Sequence, residues 1–379
     1  MRRETLCGLV LLAWSAAASA APPKILHNFT GGADGALPFA PLIADKDGNF
    51  FGTTWAGATT APTCEQLGCG TIFRLAPDGT LTTLHAFSGG ADGANPTAAL
   101  LRDSAGNFFG TTQRGGPQNF GTVFELDTTG HLTILHAFVG GPADGATPEA
   151  PLIADRNGAL YGTTNAGGPA GNGTVFRLTE SHGAWTLAVL HAFATAHDGA
   201  HPAYGALAQD QAGNLYGTTS AGGPSGQGTL FKLTPNGKAT ILHAFAGPDG
   251  ATPLDGLLSD RFGNFYGTTF DPGTVFKLAQ NGTLTTLHHF DSANNGRFPE
   301  SSLVADAGGT LLGTTAGGGT TGAGSVFAIT PSGHATTLCS LPADQAQPVG
   351  GLLFSAGSFY GTTLTGGPAH LGSIFRFVP

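Results

Sequence analysis

The chain has 379 residues, with 62 Gly and only 10% charged residues. A single hydrophobic core stops growing near this length, so the chain must divide or repeat. A hydrophobic content of 40% excludes a disordered chain, and a formal net charge of −9 without any basic cluster argues against nucleic acid or anionic membrane partners.

Residues 1–20 read as a signal peptide. Arg2 and Arg3 supply a positive start, Leu6 to Ala13 is an apolar run too short to span a bilayer, and Ala18-Ser19-Ala20 is a small-residue cleavage site. The mature chain is therefore expected outside the cytoplasm, secreted or periplasmic, with neither a transmembrane segment nor a C-terminal anchor. Cys7 leaves with the leader.

From residue 24 onward the chain repeats itself. Gly-Thr-Thr recurs at Gly52, Gly110, Gly162, Gly217, Gly267, Gly313 and Gly361, each time after an aromatic residue or Leu. A second phrase, Gly-Thr/Ser-apolar-Phe, follows every copy, from Gly70 to Gly372. Leu-His-x-Phe comes next, at His27, His85, His136, His191, His243 and His288, with a degenerate copy around Cys339. Asp-Gly-x-x-Pro, as in Asp34 to Pro38, completes the unit. These phrases predict four strands per unit, rich in β-branched and aromatic residues. Asp-x-x-Gly-Asn separates the first strand from the second, and Pro-Asp-Gly or Pro-Asn-Gly separates the third from the fourth. Both are short hairpin turns.

The phase of the repeat predicts closure. The mature chain opens with a lone fourth strand, Lys24 to Phe29, and ends just after a third strand, Gly372 to Phe377. In a ring the first would complete the last unit, and few edges would stay exposed. The expected architecture is all-β: a single domain, residues 21–379, forming a seven-bladed propeller of four antiparallel strands per blade.

Leu-His-x-Phe, Asp-Gly-x-x-Pro, Gly-Asn-Leu-Tyr-Gly-Thr-Thr and Gly-Gly-x-x-x-x-Gly-Thr-Val-Phe together resemble the GloVer tandem repeat of exported bacterial "choice-of-anchor" proteins. The resemblance covers residues 24–379. It implies an extracytoplasmic repeat protein and carries over no catalytic residues.

Cys64 and Cys69 share one loop and, in an exported protein, are expected to form a local disulfide. A two-cysteine metal site is the alternative, but no His is near in sequence. Cys339 stands where six other units have His and reads as a buried, inert thiol. The six motif histidines are spread one per blade and cannot converge on a metal. Each is expected to bond a Thr or a loop Asp, and the Asp of Asp-Gly-x-x-Pro to cap its own turn. Calcium at Asp45-Lys46-Asp47-Gly48 competes with an ordinary hairpin turn. No cofactor is expected.

Residues shared by all units build the blade, so function is sought where units differ. Between Gly-Thr-Thr and the next motif Gly lie eight residues in five units, fifteen in unit one, and only Phe270-Asp271-Pro272 in unit five. These loops share a face, called upper here, with the approaches to the first strands. There Phe39, Thr97, Glu149, His201 with Tyr204, Asp255 and Glu300 break the pattern, as do Trp55, Arg114, Phe298 and His370. Trp185, in a three-residue insertion on the lower face, reads as a packing variation.

Two functions compete. One is a monomeric binding or scaffold propeller for a glycan or protein ligand, with Trp55, Arg114, His201, Tyr204, Asp271 and Phe298 around its site. The other is a carbohydrate-active enzyme, a polysaccharide lyase or glycoside hydrolase. It needs an acid and a base, for which Glu149, Asp255 and Glu300 are the candidates. A quinone or metal oxidoreductase is disfavoured because the histidines belong to the scaffold.

Overall fold

The computed structural model describes residues 22–59, 61, 64, 67–194, 198–202, 204–290 and 296–378, and the expected signal peptide lies outside them. The described residues form seven four-stranded antiparallel sheets, each in simple up-and-down order, and no α-helix. In the first blade the strands are Ile43–Ala44, Phe50–Thr54, Thr71–Leu75 and Leu81–Ala86. The second strand is buried throughout and the third nearly so, whereas the fourth is mostly half-exposed. The fourth strand therefore forms the outer rim, and the two middle strands form the core of the blade.

The last blade consists of Leu353–Ser355, Ser358–Thr363, Ser373–Phe377 and the N-terminal strand Lys24–Asn28. Lys24 pairs with Arg376 and Asn28 with Ser373. Phe29 N–H continues the ladder to the Gly372 carbonyl at 3.0 Å. The ring thus closes through its N-terminal strand, as the phase of the repeat predicts.

Each motif residue has an identifiable physical task. Gly52 lies opposite Phe73 in the ladder, and a Cβ there would stand 2.7 Å from Phe73 Cζ. The glycine makes room for the phenyl ring lying across it. That ring meets Phe29 from the preceding fourth strand edge-on at 5.4 Å, and Phe87 meets Phe124 likewise at 5.4 Å. Such pairs contribute about 1 kcal/mol beyond the apolar area they bury, and they weld blade to blade. The second Thr of Gly-Thr-Thr bonds the Thr or Ser of the third strand, as in Thr54 to Thr71 at 2.8 Å and Thr363 to Ser373 at 2.7 Å.

The motif histidines are scaffold residues. His27 donates to Asp34 at 3.1 Å, His85 to Asp92 at 3.2 Å and His243 to Asp249 at 2.5 Å. The same aspartates cap their turns, Asp34 accepting Thr30 N–H at 3.0 Å. No group of three or more metal-ligating side chains occurs among the described residues. Asp45 accepts the N–H groups of Asp47 and Asn49 at 3.0 and 2.9 Å, the ordinary hairpin turn rather than a calcium loop. Cys339 is buried, and burial pushes its thiol up to about 11.

Cys64 and Cys69 are joined in a disulfide. Both are fully buried in the first blade's long loop, and the Cys69 carbonyl accepts Asn95 N–H from the second blade at 2.8 Å. The cross-link ties a long loop to the position that its shorter counterparts reach unaided. No helix among the described residues is long and apolar enough to cross a membrane.

Removing residues 22–29 takes the outer strand from the last blade and Phe29 from the first. The truncated chain should melt about 10 °C or more below the mature protein. Equal melting temperatures by circular dichroism would contradict the part assigned to this strand in closure.

Candidate functional site

The upper face is organised by the residue that precedes the motif proline. Leu37, Asn95, Thr147, His201, Thr252, Phe298 and Gln347 all adopt left-handed backbone, with φ between 54° and 59°. This is costly for non-glycine residues, more so for β-branched ones. It persists because six of these residues, all but Phe298, are backbone clips that bond both the preceding blade and their own. His201 N–H donates to the Asn172 carbonyl of the preceding blade at 2.8 Å, and its own carbonyl accepts Ser220 N–H at 3.0 Å. Gln347 links Ala323 and Leu364 in the same way, at 3.1 and 2.8 Å.

The clip carries the chain to the ring axis. Pro and small residues open the first strands, and these narrow residues let seven strands converge. A cavity of about 310 Å³ lies at the meeting point, lined by residues of every blade. Phe39 and Pro41, Thr97, Pro151, Tyr204, Leu254 with Asp255 and Phe270, Glu300 with Ser302, and Val349 come from blades one to seven in turn. No Lys, Arg or His lines it.

Five of the residues singled out by broken repetition meet here: Phe39, Thr97, Tyr204, Asp255 and Glu300. Asp255 Oδ1 accepts the Ser302 hydroxyl and Gly256 N–H, both at 2.6 Å. Burial outweighs these bonds and pushes its carboxyl up to about 6. Glu300 is raised by burial and then by the neighbouring Asp255 charge. Tyr204 is pushed up to about 12, first by burial and then by the charges of Glu149 and Glu300, so it remains a neutral hydroxyl donor at physiological pH. The cavity therefore joins apolar walls to two carboxyls raised by burial and one phenol. Such a set can accept hydrogen bonds, donate one, and hold or release a proton.

Glu149 is placed differently. It is buried beside the cavity rather than lining it, and Gln113 Nε2 donates to its Oε1 at 2.6 Å. Burial raises its carboxyl, opposed by hydrogen bonds from Gln113 and Asn165 and by His201. Trp55 Nε1 donates to Gln113 Oε1 at 3.2 Å, and His201 Nδ1 to the Asn165 carbonyl at 3.0 Å. Trp55, Gln113, Glu149, Asn165 and His201 thus form a polar belt across the first four blades. Phe298 stacks on Phe270, ring centroids 5.0 Å apart, beneath the Arg297 guanidinium. Arg114 and Asp271 hold rim loops through backbone bonds to Ala94 and Ala251, and neither lines the cavity.

Gln113 and Ser302 were not anticipated. Gln113 sits immediately after Gly-Thr-Thr, where the other units have Trp, Asn, Ser, Phe, Ala and Leu. Comparing the units at that position would have revealed it. Ser302 is short and polar in a motif-poor stretch and carries no sequence signal.

The family model of the Gloeobacter/Verrucomicrobia repeat matches residues 58–273 and 205–379. The chain belongs to this family. A search of curated proteins finds no match. Among solved structures, this repeat protein is similar to an inactive virginiamycin B lyase from Staphylococcus aureus with quinupristin. The TM-score is 0.63 at 13% identity, over 94% of this chain and 98% of that one. A streptogramin B lyase gives a TM-score of 0.60 at 15% identity, over 91% and 94%. The extracellular domain of a hybrid two-component system from B. thetaiotaomicron gives 0.59 at 15% identity, over 91% of this chain and 39% of that one. At such identities these likenesses establish the propeller fold alone.

The raised Asp255 carboxyl has a thermodynamic consequence. Its folded value of about 6 exceeds the model-compound 3.8, so folding takes up a proton between these values. Its contribution is most favourable below pH ~4 and is lost as pH rises toward ~6, a swing of about 3 kcal/mol. D255N, which retains an acceptor for Ser302, should gain stability relative to wild type as pH rises from 4 to 6.5 in urea titrations. Parallel pH profiles would contradict the assignment.

Proposed function

We propose that this protein is a non-catalytic binding propeller acting outside the cytoplasm as a monomer, and that its ligand, a glycan or a protein segment, enters the axial cavity. One observation carries the reading. Five residues that break the repeat, Phe39, Thr97, Tyr204, Asp255 and Glu300, line one cavity to which every blade contributes. A rigid ring presenting variable residues is the usual arrangement of recognition surfaces. Tyr204, Asp255 and Glu300 contact the ligand in this reading. Trp55, Arg114, His201, Asp271 and Phe298 shape and stiffen the surround.

The chemistry of the lining narrows the ligand. Carboxyls without a compensating cation disfavour strongly anionic molecules and suit hydroxyl-rich neutral glycans or a cationic segment. Phe270, in the three-residue loop of blade five, marks the low side of the rim and the direction of approach.

A second reading draws on the raised carboxyls of Asp255, Glu300 and Glu149. In a carbohydrate-active enzyme one carboxylic acid must stay protonated while another acts as base. The axial pair of Asp255 and Glu300 meets the electrostatic part of that requirement. Glu149 is engaged by Gln113 and Asn165 and is the weaker candidate.

The purified mature protein should bind members of a glycan array or a panel of exported proteins without converting a polysaccharide panel to products. E300Q should weaken that binding about tenfold, the worth of one charge-assisted hydrogen bond. Product formation that E300Q and D255N abolish would favour the enzyme. Binding indifferent to Tyr204, Asp255 and Glu300 substitutions would remove the ligand from the axial cavity.

A further inference from the structure

The third blade departs from the repeat at two places that are distant in sequence and adjacent in space. Its third and fourth strands, Thr174–Ser181 and Ala184–Ala192, are eight and nine residues long, against five and six in the neighbouring blades. The extension carries Trp185 to the lower face, where it packs near Phe109 of the second blade with ring centroids 6.4 Å apart. The second departure is in the first hairpin. Units one, two, four and five place Asn after the turn glycine, units six and seven place Thr310 and Ser358, and unit three places the apolar Ala159 there.

This single change alters the chemistry of the turn aspartate. In the fourth blade, Asp210 Oδ2 accepts Asn214 Nδ2 at 2.7 Å and the Tyr216 hydroxyl at 3.0 Å. In the fifth, Asp260 Oδ2 accepts Asn264 Nδ2 at 2.7 Å and the Tyr266 hydroxyl at 3.1 Å. Asp155 Oδ2 keeps the Tyr161 hydroxyl at 3.1 Å and has no amide donor among the described residues. The carboxylate oxygen thus retains acceptor capacity that Asp210 and Asp260 have used. A donor lies in the same groove, since Arg177 lines it and its guanidinium interacts with the Tyr161 hydroxyl beside Asp155.

Both departures line one cavity of about 520 Å³ between blades two and three, together with Arg102, Asn157 and Glu180. Its volume falls within the range of small-molecule sites. A comparable groove of about 510 Å³ between blades five and six has Pro331 where this one has Trp185, and the counterpart of Asp155 there, Asp306, accepts only backbone N–H groups through Oδ1 among the described residues. What sets the blade-three groove apart from the one between blades five and six is therefore its aromatic wall, which stands beside an acceptor oxygen of Asp155 and the Arg177 guanidinium.

We propose that this lower-face groove binds a neutral pyranose ring, the C–H face of the sugar against Trp185 and its hydroxyls shared between Asp155 and Arg177. Sugars present an apolar face and an edge of groups that both donate and accept, which this lining complements. Arg102 and Arg177 are more than offset by Asp103, Asp155 and Glu180, so the groove does not select an anion. The site is separate from the axial cavity, lying at the opposite ends of the strands.

The test uses the mature protein and a panel of methyl pyranosides of glucose, mannose and galactose with their β-linked disaccharides. Binding is followed by saturation-transfer NMR and tryptophan fluorescence. At least one sugar should bind and perturb the emission of Trp185. W185A should lower affinity about tenfold or more through lost stacking. A159N restores the amide donor of the other units and should lower affinity about fivefold, the worth of one hydrogen bond, with the melting temperature unchanged. A159N also keeps the inference testable if W185A does not fold. Absence of binding across the panel, or binding untouched by A159N in a folded protein, overturns it. Sugar binding abolished by E300Q or D255N but not by A159N places the sugar in the axial cavity, which overturns this inference and leaves the axial reading standing.

Discussion

The ring depends on one close approach, that between the glycine opening each third strand and the proline of the next blade. A Cβ on Gly70 would stand 2.8 Å from Pro96 Cδ, and one on Gly372 would stand 2.4 Å from Pro38 Cδ. These glycines also carry positive φ, 90° and 96°. No other residue meets both demands, so the glycine and the proline specify each other across the blade boundary. The Gly372–Pro38 contact is the same interlock made between the last blade and the first. Closure therefore uses an interface already repeated around the ring.

The interlock explains why strain is accepted beside the proline. A left-handed Thr or Phe costs on the order of 1 kcal/mol or more. Yet the conformation lets one residue join two blades through its backbone while the proline packs on glycine. Because the bonds are made by the backbone, the side chain is free to vary. Leu, Asn, Thr, His, Phe and Gln all occupy the position. Variation is thus concentrated on a rigidly held ring around the axial cavity, and this separation of scaffold from variable surface is what makes the upper face suited to recognition.

The two faces differ in how their polar groups are used. On the upper face, Glu149 is buried and bonded, and the two axial carboxyls are raised by burial with no nearby cation to relieve them. On the lower face, hydrogen bonds in the turns hold Asp45, Asp210 and Asp260 ionised. For Asp210 and Asp260 burial acts upward, and the Asn side chain, backbone N–H groups and Tyr hydroxyl together prevail and lower them. Where the Asn is replaced, at Ala159 in unit three and Thr310 in unit six, such a carboxylate has an oxygen that no amide fills among the described residues. A change of one residue in a repeat matters because every other copy records what that position does when complete.

Seven units, their strand order, the disulfide and closure through Lys24 to Phe29 were all legible in the sequence, because periodic constraints leave periodic residues. So were Tyr204, Asp255 and Glu300, each of which breaks a pattern whose default is known. The sequence could not separate Glu149 from these three. All four are polar departures near a motif proline, and only the packing of Gln113 and Asn165 around Glu149 takes it out of the cavity lining. Nor could it rank Trp185 above a packing variation, since its meaning lies in Asp155 and Arg177, which are ordinary residues until the fold brings them together. Repetition is a local, one-dimensional property that a chain carries openly. Which side chains share a cavity depends on contacts between blades, and those exist only once the ring has formed.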